Sequence, residues 1–455
     1  MCGAGFHLLS LPSRLSPCPL GASVSAPPAR VPGRRSRGLD ELRRAFASLG
    51  VYNYRLYYAG QFVSQTGTWM QRLAQAWLVL NITHSPFALG TVSMLQALPV
   101  TIFSLFGGVI ADRVPKRKLL LVTQSVATVQ AIVLASLTSF GVIQIWEIYV
   151  LALVLGTSNA FDNPARQSFP IELVGRGEVA NAVALNSTLM NGSRILGPSF
   201  AGIAIATIGV GGCFWLNAVS FIAVMGSLIA MRPSEFFAMP KLQRGPTGKL
   251  LKEGIVYAIR SPAAFGLLFA LLFVGTFGYN FNTFVPLVSR FILHTNSFQY
   301  GLLFSALGAG SLLAAVAVAF ASTYRDRSVY MGGAGFMLLL AVLGISRNYA
   351  VSAAVLLLTG MASIVFSTAL QTRLQLIVAN EFRGRVMGIY TLLQQGSTPF
   401  GALFIGTISE RWNVEAAVES AAAIGAFGLF WAWVYTRRHR SEGAAADALI
   451  RAHAE

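Results

Sequence analysis

Arg72 and Arg194 lie inside long apolar runs of this sequence. At the centre of a bilayer a guanidinium costs at least ~2.5 kcal/mol on insertion scales, so such a residue normally faces a cavity or a partner. Facing a wet cavity, it grips a carboxylate, catecholate or phosphate through paired hydrogen bonds, where a lysine supplies only a point charge. The residues around them repeat with the helical period. Gln61, Gln65, Thr68, Arg72 and Gln75 follow one another at steps of four, three, four and three. At 100° per residue they fall within an arc of about 80°. Ser187, Asn191, Arg194 and Pro198 form a second stripe, and Thr276, Asn280 and Thr283 a third. Lipid is no neighbour for a continuous polar face. The stripes therefore predict a polar lumen, with Gln61, Gln65, Thr68, Arg72, Gln75, Asn191, Arg194 and Asn280 as candidate cavity residues. Each Gln or Asn taken singly is equally well read as an amide that joins helices. The alternative for the two arginines is pairing with backbone carbonyls or amides.

Other chemistries are missing. Nucleophile, metal and phosphate-loop signatures are absent, so neither an enzyme nor a cofactor is expected. Cys2, Cys18 and Cys213 are too few and scattered for a disulfide framework, and His7, His84, His294, His439 and His453 fall in tails or loops. No Asp or Glu falls in the middle third of an apolar run, since Asp112, Glu147, Asp162 and Glu410 stand near the ends. A carboxylate that could carry a coupling proton is therefore not evident.

Membrane helices must position these side chains. Of 455 residues 55 % are hydrophobic and only 11 % charged, against about 25 % charged in an ordinary soluble domain. Runs of about 20 apolar residues, the length that crosses a ~30 Å hydrocarbon core, recur from Leu56 almost to Tyr435. Their breaks predict twelve spans, at 54–80, 86–111, 119–140, 147–165, 180–206, 212–231, 263–288, 299–322, 328–346, 350–372, 386–409 and 414–436. The net charge of +17 does not indicate nucleic-acid binding, because the basic residues form short blocks between apolar runs and no single face. Their distribution sets an orientation. Of the 34 Lys and Arg, Arg290, Arg347 and Arg411 lie in one set of loops and Arg55, Arg72 and Arg194 within spans; all others occupy the tails and the alternate loops. Cytoplasmic loops hold the excess, so both termini are expected in the cytoplasm of a multi-pass protein of the cell inner membrane.

The longest internal connection, about Arg232 to Pro262, separates two six-helix halves. The expected organisation is a basic, disordered or weakly helical tail (1–53), an N-terminal half (54–231), a cytoplasmic linker (232–262), a C-terminal half (263–436) and a second tail (437–455). Residues 1–38 lack the apolar core of a secretory signal; a misassigned start codon is the alternative to a tail. Glu172-Leu-Val-Gly175-Arg176 and Glu381-Phe-Arg-Gly384-Arg385 occupy matching places in the two halves, a trace of duplication. Two parallel six-helix repeats with a site at their interface are a known transporter plan.

The loop after the second span reads Gly107-Gly108-Val-Ile-Ala-Asp112-Arg113-Val-Pro115-Lys116-Arg117-Lys118. Here the sequence resembles the major facilitator superfamily. Gly108 is expected to let two helices approach closely, and Asp112 to accept from a helix N-terminus. The resemblance implies that Asp112 caps the eleventh helix and that Lys116 reaches an acid, Asp162, at the end of the fourth. Gly108, Asp112, Arg113, Lys116, Arg117 and Asp162 then form a gating motif. Pro115 replaces a usual Gly, and Ser322-Thr-Tyr-Arg-Asp326-Arg327 is a worn copy in the second half. In span 5, Gly197-Pro198 and Gly202 resemble the exporter signature of this superfamily, with Ser193 and Ala201 in place of two glycines; generic small-residue packing is the alternative. Further segments, including Tyr54 to Gln71, Asp162 to Gln167 and Glu253 to Pro262, are similar to the branch containing the enterobactin exporter and the transmembrane secretion effectors. The likeness runs from about 50 to 438. It implies an all-α major facilitator fold that exports a small amphipathic or anionic molecule by alternating access and proton antiport, as a monomer in the lipid bilayer. Uptake by the same fold and a transport-inactive receptor are the rivals.

Overall fold

The computed structural model describes residues 46–237, 247–319 and 326–439. Residues 1–45 of the expected tail (1–53), residues 238–246 of the expected linker, residues 440–455 of the second tail and most of the worn motif copy, residues 322–325, lie outside the described residues. The described residues are all helix apart from short turns. α1 spans Tyr52–Thr83, α2 Pro86–Arg113, α3 Lys116–Ser139 and α4 Ile145–Val174. A helical run from Val179 to Ala230 contains Gly209 at φ 75°, ψ 176°. That backbone geometry, open to glycine, divides it into α5 (179–208) and α6 (210–230). α7, Thr247–Arg260, is a linker helix. α8 (Pro262–Gly278) and α9 (Phe281–Leu287) are one crossing broken at Tyr279–Asn280 and prolonged by a π turn, Val288–Ile292. Then come α10 (Ser297–Ala319), α11 (Asp326–Ile345) and α12 (Tyr349–Ile377). α13 (Asn380–Gly396) and α14 (Thr398–Arg411) make one crossing broken at Ser397, and α15 is Val414–Arg438.

Joined in this way, the helices are consistent with the twelve expected spans. Eight stretches among the described residues are long and apolar enough to cross a membrane by themselves. α1, α4 and the α13–α14 crossing fall short. α1 and α4 carry Arg72 and Asp162, and such residues are tolerable only where neighbouring helices enclose them.

Lipid tails are as apolar as leucine, so helices pack here through close approach of small residues. α1 lies on α5 and α6 at Gly197 and Gly67; α2 lies on α4 at Gly107 and Gly156. The second half repeats the scheme, with α8 on α14 at Gly401 and α10 on α12 at Gly310 and Gly360. Between the halves α5 meets α10, and α2 meets α14. Exchanging the halves exchanges these two contacts, so the interface has a pseudo-two-fold axis.

The interface is unevenly closed. At the end away from the tails, a Cβ on Gly90 of α2 would stand 3.0 Å from the Cα of Gly406 on α14, and one on Gly301 of α10 would stand 2.9 Å from the Cα of Gly202 on α5. At the tail end, Cβ atoms on Gly108 of α2 and on Gly384 and Gly388 of α13 would meet nothing within 4 Å. The crossing pair is thus tight at its far end and splayed at the end that carries Asp112. This corrects the expectation for Gly108. The glycine of the motif that meets a neighbouring backbone is Gly107, against Ala160 of α4; Gly108, one residue further round the helix, has no neighbour at the splayed end.

Candidate functional site

The two half-buried arginines come together on one side chain. The Arg72 guanidinium lies 4.9 Å from the ring centroid of Trp69, and that of Arg194 lies 5.2 Å from the same centroid. α1 brings Trp69 and Arg72 together because they are one turn apart. α5 brings Arg194 because Gly197, one turn along, lets its backbone close on Thr66 and Trp69. The indole face attracts both cations. Their mutual repulsion remains, and among the described residues no carboxylate is paired with either. A small void next to them is lined by Trp69, Arg72 and Pro198 from one half and by Asn282, Tyr300 and Phe304 from the other. The Arg194 backbone meets the other half directly, since a Cβ on Gly308 of α10 would stand 3.3 Å from the Arg194 carbonyl oxygen. The guanidiniums therefore stand at the junction of the halves. Trp69 was not among the candidate cavity residues. Its spacing three residues before an intramembrane arginine is the signal that could have found it.

The rest of the stripe divides. Gln75 is buried and accepts from the Gln96 amide of α2 (3.0 Å), which makes it a helix-joining amide. Gln61 is buried and neither polar atom of its amide is hydrogen-bonded within the chain. Gln65 is buried, and the half-buried Thr68 donates to the Ser64 carbonyl. Asn191 donates to Ser187 one turn back. Asn280 precedes the first turn of α9, donates to the Thr276 carbonyl (2.5 Å) and packs under Gly401; it secures the break in the crossing. Pro198 and Gly202 face α10, while Ser193 and Gly197 face α1.

Around the loop motif the structure changes the expected pairing. Lys116 forms its ion pair with Glu172, not with Asp162. Arg117 donates to the carbonyls of Leu228 (2.7 Å) and Ile229 (3.0 Å), satisfying the last turn of α6. Asp112 and Arg113 are exposed at the end of α2. Asp162 is not at a helix end, because α4 continues through Pro164 and Pro170 to Val174. It is buried, accepts from Thr123 Oγ1 (2.8 Å) and Gln124 Nε2 (3.0 Å), and forms an ion pair with Arg166 one turn on. The polar run after Asp162 reads as a helix end by composition, yet it is helical throughout, with Ala165 buried and Gln167 exposed. A carboxylate is therefore present in the middle third of a membrane helix after all.

The sequence pattern of the transmembrane secretion effector family matches residues 43–452. The chain belongs to that family. It is 24 % identical over 363 residues to the staphyloferrin A transporter of Staphylococcus aureus, covering 79 % of this chain and 90 % of that protein. Over 385 residues it is 24 % identical to the enterobactin exporter of Escherichia coli O1:K1, covering 83 % of this chain and 89 % of the relative. Its fold is similar to that of the crystallised nucleoside transporter NupG, with a TM-score of 0.66 at 12 % identity over 86 % of this chain and 98 % of the other. This secretion effector is accordingly a membrane transporter of the major facilitator type that acts on a small molecule, and not an enzyme.

The closed end of this secretion effector is held by a contact that crosses the halves. Glu410, in the last turn of α14, accepts from Ser85 Oγ (2.8 Å) and from the Phe87 amide (3.2 Å) at the N-terminus of α2. A carboxylate there satisfies an orphan amide and opposes the positive end of the helix dipole. Glu410→Ala is expected to weaken closure by about 1 kcal/mol, the usual cost of losing a cap. Spin labels at Phe87 and Arg411 should then show a several-fold larger separated population; an unchanged distance distribution would show that Glu410 does not hold this end shut.

Proposed function

We propose that this transporter exports a small amphipathic anion, siderophore- or drug-like, by alternating access in the cell inner membrane, coupled to proton antiport. The observation that carries this reading is the placement of Arg72 and Arg194 on one indole at the junction of the halves, without a carboxylate partner among the described residues. An anionic substrate relieves their repulsion and takes paired hydrogen bonds from them. Both tails lie in the cytoplasm, as the Lys and Arg bias requires, so the splayed end faces the cytoplasm and the state is the one that loads substrate for export. Asp112, Arg113, Lys116 and Arg117 then gate the cytoplasmic side, and Gly197, Pro198 and Gly202 give α5 a flexible seam. The names of the two relatives support a substrate of this kind, and the protein acts as a monomer.

Everted membrane vesicles test the reading. An imposed pH gradient, acid inside, should drive uptake of fluorescent carboxylate or catecholate probes, and collapse of the gradient should stop it. Accumulation by intact cells instead would mean uptake, and independence of the gradient would remove antiport. In a cysteine-free background, an impermeant maleimide should label cysteines at positions 84 and 294 from outside, but not one at 116. The reverse pattern would invert the topology.

A further inference from the structure

A groove of about 1260 Å³ runs along the outer surface of the C-terminal half between α11 and α15, away from the two central arginines. Its lining is mostly apolar and mixes small residues such as Ala334 and Ala426 with larger ones such as Leu338 and Phe430. From Arg327 to Ala341 it follows α11 for 14 residue steps, roughly 21 Å at 1.5 Å per step, more than the ~15 Å depth of one leaflet. Polar groups are unequally placed along it. Arg327 opens α11, Arg373 lies in the last turns of α12, and Arg437 with His439 ends α15, so the cations gather at the tail end. Glu419, the acidic residue among the lining, stands 18 residues earlier on α15. Arg327 and Arg437 are exposed, and among the described residues neither is paired with a carboxylate. The Arg437 guanidinium is held over Trp433, 5.2 Å from the ring centroid. The first turn of α11 points its free amides toward the same end.

The pseudo-symmetric place in the N-terminal half differs. There Arg117 at the start of α3 is consumed by the carbonyls of Leu228 and Ile229 at the end of α6, which ties the corresponding helices together at their ends. In the C-terminal half α11 and α15 are joined at that end by Tyr330, whose hydroxyl donates to Thr436 Oγ1 (3.0 Å), and Arg327 and Arg437, which take no part in that bond, border the groove on a face that lipid must cover. An apolar channel of leaflet depth with clustered cations at headgroup level has the shape and charge of a phospholipid with an anionic head.

We infer that this groove is a binding site for an anionic glycerophospholipid, its acyl chain along α11 and α15 and its phosphate held by Arg327 and Arg437. The leaflet follows from the proposed orientation and is the cytoplasmic one; the preference for an anionic head does not depend on it. The site provides a means by which lipid composition acts on α11 and α15 of the C-terminal half.

Native mass spectrometry of the intact purified protein tests this with phosphatidylglycerol, phosphatidylcholine and inorganic phosphate as probes. Wild type should retain phosphatidylglycerol in preference to phosphatidylcholine and bind no inorganic phosphate. Arg327→Gln with Arg437→Gln should weaken phosphatidylglycerol about thirty-fold, at roughly 1 kcal/mol per basic residue, and Arg327→Lys with Arg437→Lys should keep most of it. A second variant, Ala426→Phe, narrows the channel without touching charge and should reduce both lipids. Equal retention of the two lipids by wild type, or undiminished phosphatidylglycerol in the Gln double variant, overturns the site. Because binding is read without transport, its failure is distinct from failure of the export reading.

Discussion

Arg194→Gln is expected to lower efflux of an anionic substrate by about ten- to a hundredfold while the protein stays abundant in the membrane. Arg194 stands half-buried on α5 with its guanidinium over Trp69 and no described carboxylate partner. Its stabilisation in the empty protein comes from the indole face, which is modest, at about 0.5–2 kcal/mol. A bound carboxylate, catecholate or phosphate adds hydrogen bonds to a charged group, worth about 1.5–3 kcal/mol each, and cancels the repulsion from Arg72. Glutamine keeps a donor and loses both the charge and the fork. Arg194→Lys keeps the charge and loses only the fork, so its efflux should fall between those of wild type and Arg194→Gln. Efflux and membrane abundance measured together across both substitutions decide the matter. Normal efflux by an abundant Arg194→Gln protein would leave the transporter without an anion clamp at this position.

Asp162→Ala should destabilise the N-terminal half by about 3–5 kcal/mol, the usual cost of stranding one member of a buried ion pair. Its side chain is 2 % exposed and that of Arg166 is 13 % exposed, so solvent screens the pair little. The substitution also removes the acceptor of Thr123 and Gln124, adding unmet polar groups to an unpaired guanidinium. Thermal inactivation of the purified protein in detergent should show a marked drop in midpoint. Asp162→Ala combined with Arg166→Met should recover much of it, because neutral apolar replacements avoid the stranded charge. An unaltered midpoint in the single variant, or no recovery in the double, would show that Asp162 and Arg166 do not act as a buried pair.

Long apolar runs, interrupted by short basic loops, made the membrane helices legible without coordinates, since a helix satisfies its backbone within its own segment in lipid. The stripe containing Gln61, Arg72 and Gln75 was legible because the helical period is fixed. Two errors share one cause. The run from Asp162 to Gln167 has the composition of a helix end, yet α1 and α3 pack against it and α4 continues to Val174; composition reports what solvent prefers, not what a neighbour supplies. Lys116 has two acids within reach by sequence, and only the length of α4 decides that it meets Glu172.

Sequence alone determined that an arginine on α1 and another on α5 had to face something other than lipid, because a guanidinium in hydrocarbon is too costly to leave there. That both guanidiniums share Trp69, that Gln75 joins helices while the Gln61 amide makes no hydrogen bond within the chain, and that Gly107 rather than Gly108 meets a neighbour were decided by tertiary structure. Periodicity gives the face on which a side chain lies. Which helix stands opposite that face depends on how small residues in distant parts of the chain let backbones approach, and in a protein whose halves close at one end and part at the other, that distance differs along the same pair of helices.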